Sequence, residues 1–542
     1  MIGLVGFSIF PKEIYNNKFW EKCKKEIQKN FPVYFRCIDY SNFTIELCFK
    51  LHFDYKLENK KTFFLGANTE EQLFTIDDHG AQITLLDNGI KIENDWLSSI
   101  PIFYDEKNKI TSTFYNAVAF HNINDADYCN ELGRNAYYKY GYSVFGITPI
   151  KNVNFLKAVS EIIYDENSIK IESKKDTITI PKTSVNDVIE CINNNLKSKI
   201  NNDNDLIIPL SGGLDSRMLV GLMKEKKPIT VTYGGNKNNF EPTYAEIVAK
   251  KLNLNWHYIQ LEDYYSLIDA WCSVYGLSTH AHGMYQIEFY RKLNKLSERK
   301  SIVSGIFADI WAGNSKTQIL SKDDLVKLGY SHGLALSNEM GIDFSMVDEI
   351  ESSTFETLTQ SKLTDIDSLH RIRLKIILIG YLMSTPRLLG YNVITPFLNK
   401  KVALSMLGLP YAIRKSRKWQ YDLINHMGLD IPKSVSIMKA SFINGMDANA
   451  MLRYNFNEKI SDIKHFNNKN TGISDNNIKK LDKVTQLNYF EKFNLFASST
   501  RGVQRIITKV GLRSKALIHL RDIQCIYPFI YFEKSKSISN NT

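Results

Sequence analysis

The sequence predicts an α/β fold in which a β-rich front domain precedes a parallel, doubly wound sheet with a helical C-terminal part. Three observations predict it. Short apolar runs separated by turn signals fill roughly the first 170 residues, strands alternate with helix-length segments from about 185 to 305, and the pattern beyond about 320 is mostly helical.

In the front part, Thr62-Phe63-Phe64-Leu65-Gly66, Ala81 to Leu86 and Pro101-Ile102-Phe103-Tyr104 read as strands, and Asp-Asn-Gly at 87–89 is a hairpin signal. The polar, Lys- and Thr-rich stretch from Ser173 to Ser184 separates a domain of residues 1–175 from one of 185–542. Beyond it the period changes. Val185 to Ile200 reads as a helix, Leu206-Ile207-Ile208-Pro209-Leu210 as a buried strand, and Asp215 to about Lys224 as the next helix. Ile229 to Tyr233, Trp256 to Leu261 and Ser301 to Ser304 supply further strands, with a helix from Tyr244 to Leu252. Strands and helices alternating at this spacing predict a parallel sheet.

The 542 residues exceed what one core usually holds, so two or more domains are expected. Net charge is +10, but Lys and Arg are interspersed with Asp and Glu rather than gathered in a stripe, which argues against a nucleic-acid partner. The seven cysteines are scattered without a C-x-x-C pair, which opposes a zinc site and a disulfide framework and predicts a reducing, cytoplasmic setting. The first residues lack the pattern of a signal peptide. The longest apolar candidate, Ile376 to Met383, falls far short of the ~18–20 residues that span a bilayer.

The chemistry is concentrated in Ser211-Gly212-Gly213-Leu214-Asp215-Ser216, between a predicted strand and a predicted helix. Glycines let the backbone turn tightly and approach a phosphate without a Cβ in the way. Backbone N–H groups at a helix start, with the Ser211 and Ser216 hydroxyls, offer donors to phosphate oxygens. Asp215 would repel a bare phosphate, so its expected task is to hold Mg2+ against it. The plain alternative is a Gly-rich turn with a capping Asp, and the full six-residue string in this position outweighs it. No G-x-x-x-x-G-K-[ST] and no helix-opening G-x-G-x-x-G occurs, which turns the reading away from P-loop enzymes and dinucleotides.

These residues resemble the pyrophosphatase loop of the asparagine synthetase family, and the resemblance continues in order. Glu241 to Leu261 resembles that family's helix and following strand. Ser304-Gly305-Ile306-Phe307-Ala308-Asp309 falls where the family has Ser-Gly-x-Gly-x-Asp, and Thr395-Pro396-Phe397-Leu398-Asn399 resembles its Arg-x-Pro-Phe-Leu-Asp. Lys439-Ala440-Ser441-Phe442 lies where the family keeps a lysine near the transferred acyl group. The resemblance implies an adenine-nucleotide α-hydrolase-like synthetase domain that uses ATP and Mg2+. A carboxylate is adenylated, pyrophosphate leaves, and an amine then takes the acyl group. It implies that Asp215 and Asp309 hold Mg2+, that Leu210, Tyr233, Ser304 and Gly305 line the nucleotide site, and that Lys439 stabilises charge as the amide forms.

The family's front domain is an Ntn-type glutaminase whose second encoded residue is a nucleophilic cysteine. Here the chain opens Met1-Ile2-Gly3-Leu4-Val5-Gly6, while Asp95 to Tyr104 and Tyr137 to Tyr164 resemble later segments of that domain. Isoleucine has no nucleophilic atom, so a degenerate amidotransferase-like domain is expected, with the amine not drawn from glutamine hydrolysed there. Ile306 stands where asparagine synthetases carry a glutamate and β-lactam synthetases a tyrosine, and Ile310 replaces the acidic residue that commonly follows the matched aspartate. Both put asparagine in doubt as the product.

The expected partners are a small-molecule, sugar-acid or peptide carboxylate and an amine, as in β-lactam synthetases and lasso-peptide cyclases, with a second copy of the chain as a candidate dimer partner. An asparagine synthetase using ammonia or a partner glutaminase, and a non-catalytic nucleotide binder, are the alternatives. Arg501 to Arg521 is basic with helical apolar spacing; it suits a peripheral contact with an anionic surface, though such segments more often pack as surface helices.

Overall fold

The computed structural model describes residues 3–539 apart from 16–17, 52–59, 67–74, 123–126, 166–167, 201–204, 239, 314–320, 330–334, 360–366, 432–449, 452, 467–470, 488–491 and 493–514. Ile2, Lys439 to Phe442 and 501–514 of the basic stretch therefore lie outside the described residues.

The front part builds two antiparallel sheets. Its strands are β1 (Leu4–Pro11), β2 (Val33–Tyr40), β3 (Phe43–Lys50), β4 (Thr62–Gly66), β5 (Gly80–Leu86), β6 (Gly89–Asn94), β7 (Phe103–Asp105), β8 (Ile110–Ser112), β9 (Val153–Phe155), β10 (Ser160–Tyr164) and β11 (Ile169–Ser173). One sheet has the order β2-β3-β1-β8-β7-β9 and the other β11-β10-β6-β5-β4. Phe7, Ile9, Ile45 and Leu47 of the first pack on Phe63, Ile83, Ile92 and Ile162 of the second. β1 is buried on both faces, Val5 and Phe10 joining the core on its other side, which is why its residues are mostly apolar rather than alternating. The hairpin signal is realised: Leu86 pairs with Gly89 across Asp87-Asn88. Gly89 admits no side chain, since a Cβ there would lie 2.0 Å from the Tyr164 carbonyl oxygen. The segment from Tyr137 to Tyr164 begins within a helix, Glu131–Tyr140, capped by the Asn130 side chain, before β9 and β10 follow.

The second part is built on five parallel strands, β12 (Leu206–Pro209), β13 (Ile229–Gly234), β14 (Trp256–Gln260), β15 (Ser301–Val303) and β16 (Asn392–Ile394), in the order β14-β13-β12-β15-β16. Helices Leu214–Leu222 and Phe240–Lys251 cross from β12 to β13 and from β13 to β14. The chain steps outward from β12 on one side and resumes at β15 on the other. The β12–β15 junction is thus the switch point at which ligands bind in open α/β sheets. β16 was not expected: its three residues lie inside a long helical region, where so short a run carries no period of its own. The remainder is mostly helical and closes with Lys515–Ser539, which buries Ala516, Leu520, Ile523 and Ile526. No helix among the described residues is long and apolar enough to cross a membrane.

The two parts share packing. Trp96 of the front part stacks on Trp311 with ring centroids 5.8 Å apart, and its indole N–H donates to the Leu398 carbonyl at 2.9 Å. Asn116 Nδ2 donates to the Cys272 and Ser273 carbonyls at 2.8 and 3.0 Å. Phe120 stacks on Phe532 at 5.4 Å, and the Tyr137 hydroxyl donates to the Cys525 carbonyl at 3.2 Å.

Candidate functional site

At the carboxyl ends of β12, β13 and β15 a cavity of about 260 Å³ opens at the switch point. The Gly-rich loop forms one wall. The Ser211 and Ser216 hydroxyls lie 3.0 Å apart, the Ser211 N–H donates to Ser216 Oγ at 3.1 Å, and the Gly213 N–H donates to Ser211 Oγ at 3.2 Å. From behind, the Arg217 guanidinium donates to the Gly213 carbonyl at 3.3 Å and to the Leu429 carbonyl at 3.1 Å. A Cβ on Gly212 would come within 2.6 Å of the Tyr244 ring, so glycine is required where helix Phe240–Lys251 crosses the loop.

The facing wall is the turn after β15. Its Ser304 N–H donates to the Ile394 carbonyl of β16 at 2.9 Å, and Ile306 N donates to Ser304 Oγ at 3.3 Å. Thr395 reaches the Ile306 carbonyl at 3.3 Å, and the Trp311 indole donates to the Phe397 carbonyl at 2.8 Å. The Thr395–Asn399 stretch thus braces the Ser304–Asp309 turn, and two segments 90 residues apart in sequence form one element of the site. Phe307 within that turn has φ +73°, the left-handed region that favours glycine.

Asp215, at the start of helix Leu214–Leu222, accepts a hydrogen bond from Gln420 Nε2 at 3.1 Å and pairs with Arg417. Burial pushes its carboxyl up to about 6, the Arg417 guanidinium opposing this and the nearby Asp309 charge adding to it. Two carboxylates held close with like charge suit a divalent cation, and Mg2+ takes one or two carboxylates together with phosphate oxygens. Among the described residues no group of three or more His, Cys, Asp or Glu side chains gathers to hold a metal ion, at this site or at any other.

Of the expected residues, Leu210, Ser211, Asp215, Ser216, Tyr233, Ser304 and Gly305 all line the cavity. Asp309, on the short helix Ala308–Trp311, is not among the cavity-lining residues, and its charge raises the Asp215 carboxyl. Ile306 lines the cavity, whereas Ile310 faces away and its carbonyl accepts from Ser368 Oγ at 3.0 Å. The sequence reading missed Arg417 and Gln420, some 200 positions from Asp215, and it missed Glu241, Tyr285, Gln286 and Phe289 as cavity residues. Only Glu241 carried a signal, standing at the head of a segment that resembles the family.

A search of curated proteins finds no match to the chain. Residues 188–322, which run from the helix before β12 past Asp309, match the family model of asparagine synthase, and the Gly-rich loop, β15 and the Ser304–Asp309 turn therefore lie in an asparagine synthase domain.

Proposed function

We propose that the chain is an ATP-dependent amide-bond-forming ligase. The carrying observation is the switch-point cavity, in which the Ser211–Ser216 loop, Asp215 and the Ser304-Gly305 turn converge within the asparagine synthase domain. A carboxylate oxygen attacks the α-phosphorus of ATP, the α–β anhydride bond breaks, and pyrophosphate leaves. An amine then attacks the acyl carbon, the bond to AMP breaks, and the amine gives up a proton as the amide forms. The loop N–H groups and the Ser211 and Ser216 hydroxyls orient phosphate oxygens. Asp215 and Asp309 would hold Mg2+, which would supply charge neutralisation to the departing pyrophosphate. Lys439 is assigned the charge developed during amide formation on its sequence position alone. Ile2 and Ile306 support an amine other than ammonia released in the front domain, and the carboxylate belongs to a small molecule, a sugar acid or a peptide.

The test is ATP–pyrophosphate exchange across a panel of carboxylates. Exchange stimulated by one of them and abolished in Asp215→Ala is the expected result. Tight ATP binding with no exchange under any carboxylate would overturn the reading in favour of a nucleotide-binding relative.

A further inference from the structure

We infer that Glu241 and Gln286 read the nucleoside of ATP, Gln286 at the adenine 6-amino group and Glu241 at the ribose hydroxyls. The inference rests on the adenylating reading and adds which side chains choose the nucleotide. Both residues line the same cavity as the Ser211–Ser216 loop, so a triphosphate held by the loop carries its nucleoside toward them.

Gln286 has hydrogen-bonding capacity that the protein leaves unused. Gln286 is only 5% exposed, and its Oε1 has no hydrogen-bond partner among the described residues. Leaving such an oxygen buried carries a desolvation cost that a donating ligand would recover. Glu241 has a carboxyl pushed up to about 7, with burial as the cause. Neighbouring polar groups are committed elsewhere. The Thr232 hydroxyl donates to the Leu210 carbonyl at 2.6 Å and receives the Trp256 indole N–H at 2.9 Å.

Placement decides which end each reads. Glu241 and Tyr244 are three apart on helix Phe240–Lys251, hence on one face, and Tyr244 packs directly over Gly212 of the loop. Glu241 therefore stands one helical turn from the residue that packs on the loop, on the side where a ribose would follow the phosphates. Gln286 sits on helix Tyr285–Leu296 between Tyr285 and Phe289, whose rings pack on Tyr233 at centroid separations of 5.8 and 4.6 Å. That aromatic end suits a planar base. A carboxamide pairs with adenine through its oxygen to the 6-amino group and its NH2 to a ring nitrogen. A 6-oxo purine would instead set an acceptor against Oε1.

The test is equilibrium binding of ATP, ITP, 2′-deoxy-ATP and 3′-deoxy-ATP to the full chain with Mg2+. Wild type is expected to prefer ATP over ITP by about tenfold or more, on the scale of one bidentate base contact. Gln286→Leu should bring that ratio close to one by weakening ATP, while Gln286→Glu, which keeps an acceptor oxygen, should retain the preference. Glu241→Ala should erase discrimination against at least one deoxynucleotide. Equal binding of ATP and ITP by wild type overturns the Gln286 assignment, whether or not the Leu variant folds, and so does an unchanged ratio in that variant. Equal binding of ATP and both deoxynucleotides by wild type overturns the Glu241 assignment. Failure of every triphosphate to bind would sink the adenylating reading itself, a result distinct from loss of selectivity.

Discussion

Gly305 lies against Asp215 so closely that a Cβ on it would come within 3.1 Å of the Asp215 carbonyl carbon and 3.2 Å of the Asp215 Cβ. The two turns that close the switch point are therefore spaced by the absence of a side chain. Gly305→Ala should push the Asp215 backbone away by a few tenths of an ångström. Misplacement of a reacting group by ~1 Å can cost about a hundredfold, so a roughly tenfold loss of ATP–pyrophosphate exchange is expected from this smaller shift. The measurement pairs exchange rate with thermal melting, and an unimpaired rate would show that the turns can part freely.

Phe307 occupies a backbone conformation in which a Cβ is strained. Comparing Phe307→Gly with Phe307→Ala isolates the backbone contribution, since both remove the ring. The glycine variant should be the more stable of the two by about 1 kcal/mol, the usual cost of a left-handed non-glycine residue. Equal denaturation midpoints would mean that the turn relaxes once the ring is gone.

Glu241 gives a pH signature. Its carboxyl is raised from 4.5 to about 7, so the folded protein keeps a proton that the unfolded chain has released in that interval. The sign follows from linkage: the contribution is fully present below pH 4.5 and is lost as pH rises through 7. Glu241→Gln should leave stability near wild type at pH 4 and raise it at pH 8, by something of the order of 2 kcal/mol. Thermal melts at the two pH values check it, and an identical shift at both would place the carboxyl in solvent.

Trp96 is buried between the two parts of the chain, stacked on Trp311 and bonded to the Leu398 carbonyl. Trp96→Ala should destabilise the protein by about 3–5 kcal/mol, the usual range for deleting a buried tryptophan. Because Trp311 shares a helix with Asp309, exchange should fall as well, even at temperatures where the variant is folded. Retained exchange in a folded variant would separate the stack from the site.

How much could be read from the sequence follows from how each feature is encoded. The Ser211–Ser216 loop was legible because a phosphate turn needs its residue types side by side, and the hairpin at Asp87-Asn88 for the same reason. Arg417, Gln420 and Gln286 were not, because each reaches the site through tertiary approach and nothing adjacent in the chain marks it. β16 escaped because three residues cannot show a period, and it forms only when β15 offers a neighbouring edge. The strain at Phe307 is a fact of backbone geometry, which the residue's identity does not announce.

The Trp96–Trp311 stack has a wider meaning for how such a protein can change over time. A segment remote from the loop packs on the helix that carries Asp309, so the front sheets help to set the geometry of the switch-point cavity. Drift at the Trp96 position would register at that cavity, so selection acting on the switch point reaches into the front sheets.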